Sequence, residues 1–167
     1  MIRIVTQAIL GLVMQAGSDV VFGAGFEDAQ VGLMDVRSIY AQLGSTAIVG
    51  NGGITVTYPQ ACRSQPYVAG PNESAIIQVT ASLQNALSQD AAYLFAALSE
   101  NDGPMQKIGT MPMATSLTPA GNLGAVVRTP LNSGSSYIFG MGFSSNNGFQ
   151  SDFVYCQGAI QVIKTVS

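Results

Sequence analysis

The side chains that most often carry catalysis are scarce in this chain of 167 residues. The sequence contains no histidine, which is the commonest general base and a frequent metal ligand. Neither a Ser-His nor a Cys-His nucleophile pair can therefore form within it. We expect a protein that assembles or binds rather than an enzyme, and one that uses no cofactor and no metal.

Motifs for phosphate, nucleotide or acyl chemistry are also missing from the sequence. It has no Gly-x-Ser-x-Gly sequence and no glycine-rich loop that ends in Gly-Lys-Ser or Gly-Lys-Thr. The nine carboxylates leave a two-carboxylate glycosidase as the enzymatic alternative. Most of these carboxylates lie in predicted turns, where they remain solvated, so we rank this alternative low.

The two cysteines, Cys62 and Cys156, have two interpretations that the sequence leaves open. They could be buried reduced thiols, which behave as small apolar groups. They could instead form a disulfide between the middle of the chain and its last strand. Such a bond would close a long loop and stabilise the fold by roughly 4–5 kcal/mol in the chain-entropy model. Two cysteines alone do not decide between the two states.

Charge is the most unusual feature of the composition. Charged residues make up 9% of the chain, the net charge is −3, and the six cations occur singly from Arg3 to Lys164. Average globular proteins contain about 25% charged residues. Nucleic-acid binding depends on basic residues gathered on one face, so we expect no nucleic-acid partner. A surface with so few charges must be covered by partners or coated with neutral polar side chains.

Residues 1–30 form a segment of their own with two interpretations. Ile2 to Gln15 is an apolar stretch that loosely resembles a secretory signal peptide, although Thr6 and Gln7 interrupt it. It is too short for a membrane span, which needs about 20 apolar residues. We favour an arm that docks onto a neighbouring subunit. The residues expected to make this contact are Ile2, Ile4, Val5, Ile9 and Leu12.

Residues 31–167 predict one domain made mostly of β-strands. Ser74–Gln84 alternates apolar and polar side chains, as do Ser136–Phe143 and the final strand from Val154, and this period of two is typical of half-buried strands. Ala91–Leu98 is predicted as a strand that enters a turn. Shorter strands separated by glycine and proline are predicted at Ile54–Thr57, Met105–Ile108, Met113–Thr118 and Leu123–Thr129.

One short helix is also predicted near the start of this domain. Leu33, Val36, Tyr40 and Leu43 recur at the spacing of one helical face. With seven or more short strands around it, the expected fold class is all-β, a jelly roll or β-sandwich with an N-terminal arm.

An aromatic stripe follows the last strands and has two interpretations. Its rings could pack between the sheets or against another subunit, or they could form a platform that stacks on sugars. The chain has no tryptophan, the strongest stacking side chain, so we favour packing. The residues of this expected aromatic contact surface are Tyr137, Phe139, Phe143, Phe149, Phe153 and Tyr155.

Three segments carry a resemblance to a known family. From Ser74 onward, SAIIQVTASLQ, SSYIFGMGF and VYCQGAIQVIKT resemble a tumour-necrosis-factor-like jelly roll. That fold recurs in trimeric decoration or cement proteins on the heads of tailed bacteriophages, and in secreted trimeric binding domains. The resemblance implies three protomers that meet through apolar sheet edges or faces, and an N-terminal arm docked on the underlying lattice. It carries over no catalytic or ligand residues.

We therefore expect a structural virion protein on the capsid surface. Its partners would be copies of itself and the major capsid protein. The alternative is a secreted bacterial β-sandwich domain that binds carbohydrate or a cell surface. That alternative requires a cleaved signal peptide and favours a Cys62–Cys156 bond, because the cytosol keeps thiols reduced.

Overall fold

The computed structural model describes residues 30–52, 54–84, 90–117 and 120–166. The predicted docking arm, with Ile2, Ile4, Val5, Ile9 and Leu12, lies outside the described residues. A single-turn 3₁₀-helix covers Gln60–Cys62. The strands are β1 (Gln30–Leu43), β2 (Thr46–Ile48), β3 (Tyr67–Val68), β4 (Glu73–Gln84), β5 (Asp90–Glu100), β6 (Gln106–Leu117), β7 (Ala120–Pro130), β8 (Ser136–Ser145), β9 (Phe149–Ser151) and β10 (Val154–Val166).

The strands form two four-stranded sheets that pack face to face. The front sheet has the order β1-β10-β4-β7 and the back sheet the order β3-β8-β5-β6, and every pairing within them is antiparallel. Strands β2 and β9 make a separate short pair. Apart from the β5–β6 hairpin, successive strands of the two main sheets alternate between front and back. This winding is that of a jelly roll, so the predicted all-β fold class is confirmed.

The alternation in the sequence sets which side chains fill the space between the sheets. In β4, Ile77, Val79 and Leu83 are buried, whereas Gln78 and Thr80 face outward and are exposed. The same alternation holds in β10, as predicted. Each fully buried large apolar side chain stabilises the fold by roughly 1.5–3 kcal/mol. Partners from the back sheet include Leu94, Phe139, Met141 and Phe143, all buried in the same cluster.

The predicted short helix is wrong, because Leu33, Val36, Tyr40 and Leu43 lie in strand β1. Val36 and Tyr40 are four residues apart, and an even spacing shares one face of a strand as well as one face of a helix. The register of β1 against β10 shifts between Leu33 and Asp35. This β-bulge puts Leu33 and Val36 on the same side despite their odd spacing. The apolar residues of β1 therefore recur at a helix-like spacing although the segment is a strand.

Two predicted strand boundaries also need correction, while the strand at Ala91–Leu98 is confirmed within β5. Ile54–Thr57 is not a strand, since only Thr57 pairs, in an isolated bridge with Phe143. The segments Met105–Ile108 and Met113–Thr118 were predicted as separate, but β6 runs without a break from Gln106 to Leu117. Gly109 adopts a φ of +88° inside it, which glycine tolerates and other residues rarely do.

A segment of the chain pairs along the edge of β8 that is opposite β5, and some of its side chains lie over the outer side of the back sheet. This segment, residues 49–52 and 54–66, is called the strap here, and it pairs with β8 through isolated bridges at Gly50, Thr57 and Arg63. A Cβ atom at Gly142 would lie under 3.0 Å from the side chains of Val56 and Tyr58. Glycine in β8 therefore makes room for the strap, and the outward side of β8 is buried.

A disulfide between Cys62 and Cys156 fastens the strap to the front sheet. Their Cα atoms are 5.7 Å apart, and the bond joins positions 94 residues apart in the chain. Both cysteines are buried in the core cluster. The structure thus resolves the question that the sequence left open in favour of the bonded state.

We expect the variant Cys62→Ala/Cys156→Ala to lose about 4–5 kcal/mol of unfolding free energy, because opening a loop of this length frees the unfolded chain. Urea denaturation of the oxidised protein and the variant measures the difference. Wild-type protein that is unfolded and refolded in a reductant, with both thiols free, is the control and should lose a similar amount. A difference below about 1 kcal/mol would show that the bond contributes little.

Candidate interaction surface

The outward side of the front sheet is a flat surface, called the front face here. Strand register places its side chains in rows that run across β1, β10, β4 and β7. Neighbouring rows are two residues apart along each strand, or three at the β1 bulge. The rows are Gln42–Tyr155–Ser82–Asn122, Tyr40–Gln157–Thr80–Gly124, Ser38–Ala159–Gln78–Val126, Val36–Gln161–Ile76–Arg128 and Leu33–Ile163–Ser74–Pro130.

Exposed apolar side chains concentrate on the front face. Among the described residues, seven large hydrophobic side chains are exposed. Four of them, Leu33, Val36, Tyr40 and Val126, lie in the rows of the front face, and Met34 occupies the β1 bulge beside them. Single exposed apolar residues are ordinary, but a contiguous group marks an interaction site. The lower three rows, from Ser38 to Leu33 on β1, are called the apolar zone here.

The front face is almost free of charge. Arg128, on the edge strand β7, is the one charged side chain in the five rows. The remaining polar groups are amides and hydroxyls, which are neutral at every physiological pH. A face of this kind exerts little electrostatic repulsion on a second surface of the same kind.

The outer side of the back sheet contrasts with the front face because the chain itself covers much of it. Phe95 and Ala97 point outward from β5 yet are buried. The Lys107 ammonium lies 5.0 Å from the centroid of the Phe95 ring, which is within the range of a cation–π contact. The front face is therefore the larger apolar surface left open among the described residues.

The upper rows of the front face contain a shallow depression, called the tyrosine–amide trench here. It has a volume of about 300 Å³ and adjoins a second depression of about 270 Å³, with Thr80 and Gln157 lining both. Side chains of the first include Tyr40, Ser82, Asn122 and Tyr155, and Gln78 lines the second. The trench therefore runs over the two central strands, β10 and β4.

Three of the six residues of the aromatic stripe pack between the sheets, as the favoured interpretation expected, and so do not contribute to a contact surface. Tyr137, Phe139 and Phe143 are buried between the sheets, because alternation along β8 turns these odd-numbered positions inward. Phe149 packs on the core and is partly buried. Phe153 and Tyr155 are also partly buried and meet edge to face with their centroids 5.5 Å apart. Of the six, Tyr155 alone is in the rows of the front face.

Sequence reasoning missed Tyr40 and the amides that surround it. The apolar spacing around Tyr40 predicts a helix, but Val36, Ser38, Tyr40 and Gln42 also follow one another at an even spacing, which a strand presents on one side. That spacing was the available signal. The pairing of Tyr40 with Gln157 across β10 is a long-range fact that no local pattern contains.

Three of the six carboxylates that the structure describes accept hydrogen bonds from the protein's own loops and turns. Glu73 is buried and accepts hydrogen bonds from the Tyr67 hydroxyl and the Gly70 N–H, both at 2.7 Å. Asp90 is buried and accepts from the backbone and side chain of Asn147. These two carboxylates thus belong to separate networks.

Glu100 closes the turn region at one end of the sandwich. Its Oε1 accepts from Asn132 Nδ2 and from the Tyr137 hydroxyl, each at 3.0 Å. Hydrogen bonds from Asn132, Ser135 and Tyr137 lower the pKa of Glu100 below its usual value. Burial is the main cause that raises the pKa of Tyr137. The network joins β5 to the loop before β8.

Arg37 connects strand β1 to the end of the strap. Its Nε donates to Asp35 at 2.7 Å, and its Nη1 donates to the carbonyls of Gln65 and Pro66 at 3.2 and 2.7 Å. The guanidinium carbon lies 5.1 Å from the centroid of the Tyr67 ring. Burial, followed by the hydrogen bond and charge of Glu73, raises the pKa of Tyr67 above its ordinary value.

The raised pKa of Tyr67 predicts a loss of stability in alkali. The phenol is protonated in the folded state and ionises near pH 10 when unfolded, so its contribution is complete below about pH 10 and is lost as the pH rises further. We expect the unfolding free energy to fall as the pH rises above about 10, and to fall less in Tyr67→Phe. Urea titrations at several pH values measure this slope.

The matched control for this titration is Tyr40→Phe, which alters an exposed tyrosine. Tyr67→Phe should also lose about 1–3 kcal/mol at neutral pH, since Glu73 then lacks a donor. An alkaline slope that is identical in Tyr67→Phe and wild type would contradict the assignment.

The described ranges contain neither a metal cluster nor a membrane-spanning helix. No group of three or more histidine, cysteine, aspartate or glutamate side chains there could hold a metal ion. No helix in the same ranges is both long and apolar enough to cross a bilayer.

Comparison with known proteins adds no relative. No protein-family model matches the chain, and no curated protein matches it significantly. The function must therefore be inferred from the surface of the molecule.

Proposed function

We propose that this protein is a structural virion protein, a decoration or cement protein that self-associates on the capsid surface and clamps neighbouring capsid subunits. The observation that carries the proposal is the open, nearly uncharged front face of the jelly roll. The resemblance to tumour-necrosis-factor-like decoration proteins supplies the expected homotrimer. Residues 2–12 of the N-terminal segment supply the expected contact with the capsid.

Burial of the apolar zone is the proposed driving force for self-association. Leu33, Val36 and Val126 are exposed in the isolated chain, and each removes apolar area from water when a second copy covers it. That burial contributes roughly 25 cal/mol per Å² before the costs of association. The scarcity of charge, 9% of the residues, fits a protein whose open surface is covered after assembly.

The architecture restricts where such a contact can form. The back sheet already has its strap, fixed through the buried Cys62–Cys156 bond. The front face has no covering segment among the described residues, and its apolar zone includes the edge strand β1. An edge strand with exposed apolar side chains is a natural place for a second chain to pack.

We expect Val36→Lys to reduce the oligomer to a monomer, because it buries a charge in the proposed contact. Size-exclusion chromatography with light scattering measures the mass. Val68→Lys is the matched control, because Val68 is exposed to a similar degree but lies on the back sheet. Val36 is 57% exposed and Val68 is 65% exposed. A wild-type protein that is monomeric at high concentration, or equal masses for both variants, would refute self-association through this face.

The role on a capsid is tested by deleting residues 2–15. The truncated protein should fold but fail to attach to particles assembled from the major capsid protein of the same genome, because the docking residues are gone. Co-sedimentation with assembled particles measures attachment, and circular dichroism checks the fold. Normal attachment would reject the arm as the docking element, and the absence of a neighbouring capsid gene would reject the virion role.

A secreted bacterial β-sandwich domain is the second candidate, and the disulfide favours it. Disulfides persist in oxidising compartments and are rare in the cytosol. A secreted domain would be recovered from the medium without residues 1–16 and would leave capsid particles bare. Intact mass under non-reducing conditions therefore separates the two candidates.

A further inference from the structure

The tyrosine–amide trench differs chemically from the apolar zone beside it. Its lining consists of two phenol rings, hydroxyls and amides, and no charged side chain is among its lining residues. We propose that this trench binds a neutral carbohydrate chain. The proposal goes beyond the assembly role, because the trench lies in the two upper rows of the front face and shares only Gln78 and Ala159 with the apolar zone.

The functional groups of the trench complement those of a sugar. A sugar hydroxyl both donates and accepts hydrogen bonds, and the side-chain amides of Gln157, Gln78 and Asn122 offer donor and acceptor on one group. Thr80 and Ser82 add hydroxyls between them. The Tyr40 ring is 77% exposed, so its apolar face is open to the C–H face of a pyranose.

The trench is held in place before any ligand arrives. The Tyr155 hydroxyl donates to Gln42 Oε1 at 2.8 Å, and Phe153 meets the Tyr155 ring edge to face. Ser82 donates to Asn122 across the β4–β7 pair. These groups stand on strands, and binding groups on rigid strands lose less entropy on binding than groups on mobile loops.

The shape of the trench favours a chain over a small compact ligand. Its two depressions follow β10 and β4 from Ser82 to Gln78, and four residues of strand span about 13 Å. Both depressions lie open on a sheet surface, whereas small molecules usually bind in deeper clefts that enclose most of their area. An extended oligosaccharide fits this open, elongated form.

The charge distribution excludes the main alternative ligands. Anionic glycans and nucleic acids depend on cations. The one cation in the rows is Arg128, which is on the edge strand β7, one row beyond Gln78, and does not line the trench. An apolar ligand would leave the amides of the trench without partners, which costs free energy. The remaining competitor is a second copy of this chain that covers the trench.

The test uses glycan-array screening followed by calorimetry with soluble neutral hexasaccharides of β-1,4-linked glucose, β-1,4-linked xylose and α-linked mannose. We expect at least one neutral oligosaccharide to bind, and uronic acid or sulfated chains to bind no better. Tyr40→Ala and Gln157→Ala should each weaken binding tenfold or more. Tyr93→Ala, which removes a tyrosine from the back sheet, is the matched control and should bind as wild type does.

Two outcomes would overturn the proposal. One is that no neutral oligosaccharide on the array or in calorimetry binds the wild type or the Val36→Lys variant. The other is that binding survives in Tyr40→Ala and Gln157→Ala, both shown by thermal unfolding to be folded. Loss of oligomer mass in these two variants without any sugar binding would assign the trench to the subunit contact instead.

Sugar binding by the Val36→Lys variant distinguishes the carbohydrate site from the proposed self-association. If this variant binds sugar as a monomer, the trench is independent of assembly. Amide chemical-shift changes confined to β10 and β4 on titration with the bound hexasaccharide would locate the site in wild-type protein. Changes confined to other strands would reject the trench as the site.

Discussion

The packing of the strap against β8 determines which side of this sandwich is available to other molecules. Gly140 and Gly142 have no side chains. Val56 and Tyr58 of the strap occupy the space that a Cβ atom at Gly142 would need, and Met105 with the strap carbonyl of Cys62 occupies that space at Gly140. The disulfide from Cys62 to Cys156 keeps the strap in that position. The back sheet is thus covered from within the chain, and the equivalent surface of the front sheet is left open.

The few charged groups reinforce this division, because most of the described ones are used inside the molecule. Arg37 turns away from the front face to the strap, and Glu73, Asp90 and Glu100 accept hydrogen bonds within turns. Their removal from the open surface leaves the front face to neutral side chains. Such a surface gains little solubility from charge and gains free energy when it is covered.

The front face combines two kinds of chemistry on one rigid sheet. Its lower rows offer apolar area, which supports association without chemical selectivity. Its upper rows offer amides, hydroxyls and phenol rings in fixed positions, which can select a partner through hydrogen-bond geometry. Because both sets stand on the same four strands, a change in strand register would disturb assembly and recognition together.

The sequence by itself determined the all-β class and the inward sides of β4 and β10. The alternation of apolar and polar residues along each segment predicts these features, because a strand places every second residue in the core. The lack of histidine and the small number of charged residues are also visible in the sequence, and they indicate assembly or binding without any structure. The tertiary structure alone decided that β1 is a strand and that Cys62 meets Cys156. It also brought Tyr40 beside Gln157 and Thr80, since pairing between strands more than seventy residues apart depends on the whole core and leaves no local pattern.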